Sequence, residues 1–120
     1  MAPPRNLTYV DRQGHPITRT TWLRLSSRPE YVAIASDTVA LDGEQVQVMT
    51  IWLGLKLPIP EPPIFETLAQ PSGSSQPQRW TWSNLNRART GHHRIVNELT
   101  AQSLDLDQSE TITEPLTETG

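Results

Sequence analysis

The chain has 120 residues, a formal net charge of −3 and an apolar content of 35%. Its length suits one hydrophobic core, but the apolar content lies below the roughly 45–50% of an ordinary domain, so part of the chain should lie outside that core. There is no cysteine, which excludes disulfide frameworks, thiolate zinc sites and cysteine nucleophiles. No apolar run approaches the roughly 20 residues of a membrane helix, and the first residues lack the apolar stretch of a signal peptide, which predicts a cytoplasmic protein with no membrane partner.

Charge is arranged in alternating blocks along the chain. Residues 1–29 carry a net charge of +4 and residues 79–99 a net charge of +3, whereas residues 30–78 and 100–120 each carry −5. Without the last acidic block the chain would be nearly neutral. Bulk charge therefore gives no argument for binding to nucleic acid.

The N-terminal part predicts one short strand and one short helix. Residues 1–6 are expected to be mobile, and Leu7–Val10 to form an edge strand. Thr18–Ser26 is expected to be a helix with Thr18 as its N-cap, because a threonine hydroxyl at this position accepts a hydrogen bond from the first turn. Ile17 and Trp22 have the spacing of a hydrophobic staple across that cap.

Two strands joined by a tight turn follow this helix. The segments Tyr31–Val39 and Glu44–Leu55 are predicted strands, and Asp42-Gly43 between them is typical of a two-residue hairpin because both residues tolerate a positive φ. Such a turn fixes the register. Three cross-strand pairs are therefore expected: Val39 with Val46, Asp37 with Val48, and Ile34 with Ile51.

The second of these strands is predicted to be central in the sheet and covered on both sides near Trp52, because both of its faces are apolar there. Only two helices are available to cover two apolar faces, which leaves self-association into a homo-oligomer as an open alternative. One face carries Val46, Val48, Thr50 and Trp52, and the other carries Met49, Ile51 and Leu53.

Proline and small residues interrupt the next part of the chain. Pro58–Pro63 cannot be a central strand, because proline donates no ladder hydrogen bond, and it is interpreted as a stiff, extended connector. Ile64–Gln70 is a predicted third strand, and Pro71–Gln78 a predicted exposed loop of low complexity. Arg79–Trp82 is a predicted short fourth strand.

A longer helix is predicted to follow a cap on Ser83 or Thr81 and to reach about Leu99. Residues spaced by three and four form one stripe of this helix that should face the sheet. The acidic segment 100–120 offers its few aliphatic residues no partner and is predicted to be disordered. The stripe comprises Leu85, Ala88, His92, Ile95 or Val96, and Leu99.

Together these elements predict an α+β fold. The sheet is four-stranded and mainly antiparallel, and a short N-terminal helix and a longer C-terminal helix pack on it. Residues 7–99 form the single predicted domain, between the mobile segment 1–6 and the acidic tail 100–120.

Five short motifs stand in order along the chain: Pro16-Ile17-Thr18, Trp22 with Leu25, Trp52-Leu53-Gly54-Leu55, Ile64-Phe65-Glu66-Thr67 and Gly91-His92. In that order they resemble a family of small uncharacterised proteins common in actinobacterial phages and related mobile elements. The resemblance covers about residues 9–99 and implies a source and an architecture, but no activity. The family carries acidic residues where this chain has Arg19, Lys56, Asn84, Asn86 and Arg87, so a function that needs those carboxylates is not carried over.

Glu66 and His92 are the candidate catalytic residues. Glu66 stands among aliphatic residues of a strand, where a carboxyl group can act as an acid or base, and His92 lies on the apolar stripe of the last helix. The alternative is structural: Glu66 pairs with Arg79 or His92, and His92 is a core-edge residue bonded to Glu66 or to a backbone carbonyl. The adjacent His93 points about 100° away from His92, so the two do not chelate a metal ion, and neither a metal site nor a cofactor is predicted.

Gly54 and Gly91 require a structural reason, because glycine weakens the interior of a strand or helix. Close packing against the sheet is one interpretation, and a small apolar pocket that binds a ligand is the other. The pocket would have Trp52 and Phe65 at its floor, with His92 and Glu66 at its edge.

The last strand and helix carry the only cluster of basic and aromatic residues. Guanidinium groups bind phosphate and indole rings stack on bases, so this cluster is a candidate site for a phosphate-bearing small molecule or for nucleic acid. A solvated helix face is the alternative. The cluster comprises Arg79, Arg87, Arg89 and Arg94 with Trp80 and Trp82.

The predicted function is that of a non-enzymatic binding protein of phage or mobile-element origin. It would interfere with host defence, either by binding a host protein or by sequestering a phosphate-bearing signal nucleotide. Two alternatives stay open: a small hydrolase or transferase that uses Glu66 and His92, and a nucleic-acid-binding accessory protein. The enzyme alternative requires these two side chains to share a water-filled cleft within hydrogen-bond reach, about 3 Å.

Overall fold

The computed structural model describes residues 7–41, 43–73 and 76–119, with side chains as far as Ser103. In chain order the elements are β1 (Thr8–Val10), β2 (Pro16–Ile17), α1 (Arg19–Ser26), α2 (Pro29–Val32), β3 (Ala33–Leu41), β4 (Glu44–Trp52), β5 (Leu55–Lys56), β6 (Phe65–Pro71), β7 (Gln78–Trp82) and α3 (Leu85–Thr119). An antiparallel sheet of strand order β3-β4-β6-β7 packs against α3, and a second, small sheet has the order β2-β1-β5. The α+β class and the four-stranded antiparallel sheet are thus confirmed, whereas the predicted mobile segment 1–6 lies outside the described residues.

The register of β3 on β4 is the predicted one except at one end, and Asp42 of the predicted turn lies outside the described residues. Two of the three expected pairs are confirmed, and the third is wrong. Ile51 lies opposite Ala33 instead of Ile34, because a β-bulge before Ala35 inserts one extra residue into β3. Ile34 is that extra residue, and it packs against the core cluster that contains Trp52. The confirmed pairs are Val39 with Val46 and Asp37 with Val48.

β4 lies between β3 and β6, as predicted for a central strand. Its first face is buried from Val46 to Trp52, and this face includes Thr50. On the second face Met49 and Ile51 are only half-buried and Gln47 is exposed. The predicted cover on both sides of the strand is therefore incomplete in the described part of the chain.

β4 ends at Trp52, three residues before the predicted end at Leu55. Gly54 has a φ of 72°, in the left-handed region that breaks a strand and favours glycine. The chain turns there, and Leu55 then pairs with Tyr9 of β1 in the small sheet. The backbone N–H of Val10 donates to the carbonyl oxygen of Gly54 at 2.9 Å, which joins the two sheets.

The N-terminal helix α1 forms as predicted, but β3 begins later than expected. The hydroxyl oxygen of Thr18 accepts a hydrogen bond from the backbone N–H of Thr21 at 3.1 Å, which confirms the N-cap. Tyr31 and Val32 were assigned to the strand, yet they belong to α2. Pro29 stands at the first position of this short helix, where its fixed φ favours a helical turn.

The predicted stripe of α3 faces the sheet, and Ile95, not Val96, is its buried member. The predicted cap is wrong: Asn84 caps the helix instead of Ser83 or Thr81. The side-chain oxygen of Asn84 accepts a hydrogen bond from the backbone N–H of Arg87 at 2.8 Å. Asparagine caps a helix as well as serine does. Asn84 is the cap because it directly precedes Leu85, the first apolar residue of the stripe.

α3 is also longer than predicted. Among the side chains that the structure describes, which end at Ser103, Leu99 is the last buried residue of the stripe, and the helical backbone continues to Thr119. Disorder of the segment 100–120 stays a prediction. No glycine or proline follows Gly91 before Pro115. The segment therefore lacks the residues that normally stop a helix.

Gly91 allows α3 to approach the sheet closely at Trp82. A Cβ atom at position 91 would lie 2.3 Å from Cη2 of the Trp82 ring. We expect Gly91→Ala to destabilise the protein by about 1–2 kcal/mol, because the overpacking outweighs the gain of about 1 kcal/mol in helix propensity. Thermal or urea unfolding measures this change. The exposed Thr90→Ala serves as the control and should change the free energy of unfolding by less than about 0.5 kcal/mol; a stabilising Gly91→Ala would contradict the close approach.

Candidate functional site

A chain of hydrogen-bonded polar side chains runs through the centre of the fold, and its three middle members are buried. Nε1 of Trp82 donates to Oγ1 of Thr67 at 2.8 Å. Oγ1 of Thr67 lies 2.5 Å from Oγ1 of Thr50, and Thr50 lies 2.7 Å from Nδ1 of His92. Nε2 of His92 lies 2.7 Å from Oδ2 of Asp37. We call these five residues the central chain; it links β7, β6, β4, α3 and β3.

The two ends of the central chain fix the direction of its outer hydrogen bonds. An indole N–H can only donate and a carboxylate can only accept, so Thr67 accepts from Trp82, and Nε2–H of His92 donates to Asp37. Between these ends, we expect Thr67 to donate to Thr50 and Thr50 to donate to Nδ1 of His92, because this order uses each hydroxyl proton once. The expected tautomer of His92 carries its proton on Nε2.

This tautomer can be measured directly. We expect long-range ¹H–¹⁵N correlation spectra at neutral pH to give His92 a protonated Nε2 and an unprotonated Nδ1. Exposed His93 is the internal control, since it lacks the two fixed partners and should show the averaged pattern of a solvated imidazole. A proton on Nδ1 of His92 would contradict the direction of the chain.

A hydroxyl, an imidazole and a carboxylate in this order resemble the arrangement of a catalytic triad. However, Thr50, Thr67 and His92 are each 0% exposed. The hydroxyl of Thr50 is enclosed by Thr67 and the histidine ring, and only Asp37, with a side chain 48% exposed, reaches solvent. The arrangement can hold β3, β4, β6, β7 and α3 together, but it offers a substrate no access to the hydroxyl.

The sequence contains a signal for one hydrogen bond of the central chain, between Asp37 and His92, that the prediction did not include. The expected register already placed Asp37 opposite Val48, on the covered face of the hairpin. A carboxylate on a covered face needs a polar partner, and His92 on the helical stripe was available. The pairing of Thr50 with Thr67 depends on the register of β4 on β6, which no turn signal fixed.

Glu66 and His92 do not form a joint site. Glu66 lies on the face of β6 opposite to buried Thr67, whereas His92 lies beneath the covered face. Oε1 of Glu66 is 3.8 Å from Nη1 of Arg79, which is the structural partnership that the sequence offered as an alternative. His92 is bonded to Thr50 and Asp37 and not to Glu66. The predicted acid–base pair is therefore not assembled.

The two glycines of the predicted pocket are sites of close packing. A Cβ atom on Gly54 would lie 2.4 Å from Cζ2 of Trp52, and one on Gly91 would meet the Trp82 ring. Trp52 and Phe65, the predicted floor, are 3% and 0% exposed and belong to the core. Indole rings thus occupy the space in which the prediction placed a ligand.

The predicted cluster of arginine and tryptophan is only partly assembled: Arg87 and Arg94 both lie beside Trp82, whereas Arg79 does not. Arg79 lies on the open face of the sheet, opposite to the side on which Trp80 and Trp82 pack against the core. Nη1 of Arg87 is 2.6 Å from Oε1 of Glu61 in the connector.

Farther along α3, the guanidinium of Arg94 lies 5.8 Å from the centre of the Trp82 ring, and its Nε is 3.9 Å from Glu98. Arg89 is exposed on the same helix. Three of the four arginines face a carboxylate. The cavity beside Arg87 has a volume of about 200 Å³, below the roughly 300–1,000 Å³ of small-molecule sites. The cavity beside Arg94 has a volume of about 620 Å³ but is a shallow depression that is open to solvent.

The connector forms a fixed turn that the sequence did not predict. It was expected to be extended, but the backbone N–H of Ile59 donates to the carbonyl oxygen of Leu57 at 2.8 Å. Glu61 has a φ of 49°, in a left-handed conformation that costs a non-glycine residue roughly 1–2 kcal/mol. Such strain concentrates at functional positions. Leu57 and Ile59 are 44% and 49% exposed.

Comparison of the sequence with protein-family models, with curated proteins and with solved structures gives no match. The resemblance to phage and mobile-element proteins therefore stays a prediction from the motifs. Within the described residues, no helix is long and apolar enough to span a membrane. The same part of the chain contains no group of three or more histidine, aspartate or glutamate side chains that could hold a metal ion.

Proposed function

We propose that this protein is a non-enzymatic binding protein whose partner is another protein. One observation carries the proposal: in the triad-like order of Thr50, His92 and Asp37, the hydroxyl and the imidazole are enclosed in the core, since Thr50 and His92 are each 0% exposed. A catalytic hydroxyl must touch its substrate, whereas a buried network contributes rigidity to a binding scaffold.

The partner is a protein rather than a nucleotide or nucleic acid. A phosphate site needs several uncompensated donors that converge on one point. Here Arg79, Arg87 and Arg94 each lie near a carboxylate, and Arg79 lies on the open face of the sheet, away from the other two. The exposed surface instead offers apolar side chains, at the connector and on the open face of the sheet, of the kind that protein interfaces bury.

The motifs shared with phage and mobile-element proteins indicate the partner class. A small non-catalytic protein from such an element can act by occupying a surface of a host protein. We therefore include in the proposal that the partner belongs to a host-defence system. This part rests on the sequence motifs alone.

Labelling with a fluorophosphonate probe, which reacts with activated hydroxyl groups, tests the non-enzymatic part. We expect the folded protein to show no more labelling of Thr50 than a heat-denatured sample, because the hydroxyl is enclosed. Stoichiometric labelling of Thr50 that disappears in His92→Gln would overturn the proposal.

A thermal-shift screen of cyclic and linear nucleotides tests the choice of partner. We expect the melting temperature to stay unchanged, since ligand binding to the folded state would raise it. An increase that Arg94→Gln abolishes, but the exposed Arg24→Gln does not, would overturn the choice of a protein partner.

A further inference from the structure

We propose that the connector turn, residues Leu57–Pro60, is the element that binds the partner. It inserts Leu57 and Ile59 into an apolar groove that is lined by aromatic side chains and has an acidic edge. This inference rests on the proposed function, because it names the surface and the chemistry of the protein partner.

The two inserted side chains are unusually exposed for their type. Leu57 is 44% exposed and Ile59 is 49% exposed, and among the described side chains only Leu23 is a comparably exposed large apolar residue. Leu23 stands alone on α1, whereas Leu57 and Ile59 are two residues apart on one turn. Two neighbouring apolar side chains at the tip of a turn have the shape of an interface anchor.

The backbone of the turn has little freedom to lose on binding. From Leu57 to Pro63 every residue either is proline or directly precedes one. Proline fixes its own φ and excludes the helical region for the residue before it. A segment that is already ordered when free binds without the entropy cost of ordering a loop.

Contacts with the body of the protein hold the turn in place. The N–H of Ile59 donates to the carbonyl oxygen of Leu57 at 2.8 Å, which closes a three-residue turn around Pro58. On the far side, Pro62 is buried. Nη1 of Arg87, in the first turn of α3, contacts Oε1 of Glu61 at 2.6 Å. These contacts let Glu61 keep its left-handed conformation and direct the tip outward.

The chemistry of the turn defines the groove that would accept it. Proline and aliphatic side chains at the tip of a turn are buried by apolar and aromatic side chains, and aromatic residues are enriched at protein interfaces. Lys56 directly precedes the turn, is exposed, and has no ion-pair partner within the described residues. An ammonium group at the edge of an apolar contact favours carboxylates on the other side.

Site-specific photocrosslinking in cells that carry the natural partner tests the inference. The crosslinking amino acid p-benzoylphenylalanine replaces Ile59 in the full-length chain. We expect one discrete adduct with another protein, and mass spectrometry should place it on a surface with aromatic and acidic residues. Leu57→Ser in the same chain should reduce the yield roughly tenfold, as expected for the loss of an anchor residue. Leu23→Ser, equally exposed but outside the turn, should leave the yield unchanged.

Crosslinking at three further positions distinguishes a failure of this inference from a failure of the proposed function. These positions are Leu23 on α1, Gln47 on the open face of the sheet, and Arg89 on α3. Adducts at one of these positions but none at Ile59 would overturn the inference and leave a protein partner in place. The absence of adducts at all four positions would overturn both. An adduct at Ile59 with a second copy of this chain would overturn the inference in favour of self-association.

Discussion

Replacement of His92 by alanine is expected to lower the free energy of unfolding by about 3 kcal/mol. The imidazole is 0% exposed and bonds to Thr50 on one side and Asp37 on the other. Its removal leaves a cavity and a buried Thr50 hydroxyl without its acceptor, and each of these effects costs roughly 1–3 kcal/mol. For a domain of this size the midpoint of thermal unfolding should fall by about 10–20 °C.

The adjacent His93→Ala is the matched control for this prediction. His93 is on the same helix but exposed, so its loss should change the free energy of unfolding by less than about 0.5 kcal/mol. Urea unfolding at neutral pH compares the two variants under identical conditions. Equal effects at positions 92 and 93 would contradict the structural role of the central chain.

Gly54→Ala is expected to have an effect of similar size for a different reason. The φ of 72° costs an alanine roughly 1–2 kcal/mol. The added methyl group would also lie 2.4 Å from Cζ2 of Trp52 and 2.6 Å from Nε1 of Trp22. Overpacking of this kind costs about 1–3 kcal/mol, because both indoles are held by hydrogen bonds to backbone carbonyls. The total loss should be about 3 kcal/mol.

Gly14→Ala separates the two contributions at Gly54. Gly14 has a similar φ of 84°, but a Cβ atom there would meet nothing within 4 Å. Its replacement should therefore cost only the backbone contribution, roughly 1–2 kcal/mol. If thermal unfolding gives the same loss for both variants, the close contact between Gly54 and the two tryptophans is contradicted.

Local patterns in the sequence were sufficient to predict most of the fold. The cap at Thr18, the register of the hairpin that leads into Glu44 and the apolar stripe of α3 each depend on residues a few positions apart, and the structure confirms all three. The bulge at Ile34 was missed because its cause is distant in sequence. It lets Ile34 pack with Trp52, and no local propensity records that contact.

The candidate site was harder to predict for the same reason. His92 was recognised as a polar residue on a covered stripe, but its partners were assigned to the wrong element. Thr50 and Thr67 are ordinary strand residues, and only the pairing of β4 with β6 brings their hydroxyls within 2.5 Å. The connector was interpreted from its prolines as extended, because composition does not encode the left-handed Glu61 or its bond to Arg87.

We propose that the polar central chain maintains the fold and that the connector turn binds the partner. The most direct test measures the crosslinking yield and the melting temperature of two variants. The crosslinker replaces Pro60 of the turn, and both variants are assayed below their melting temperatures. Thr50→Val should lower the free energy of unfolding by about 2 kcal/mol, because it leaves the Thr67 hydroxyl and Nδ1 of His92 unpaired, yet keep the yield. Leu57→Ser with Ile59→Ser should abolish the adduct and leave the melting temperature unchanged. Loss of the adduct in folded Thr50→Val, with the adduct retained in the turn variant, would contradict the account.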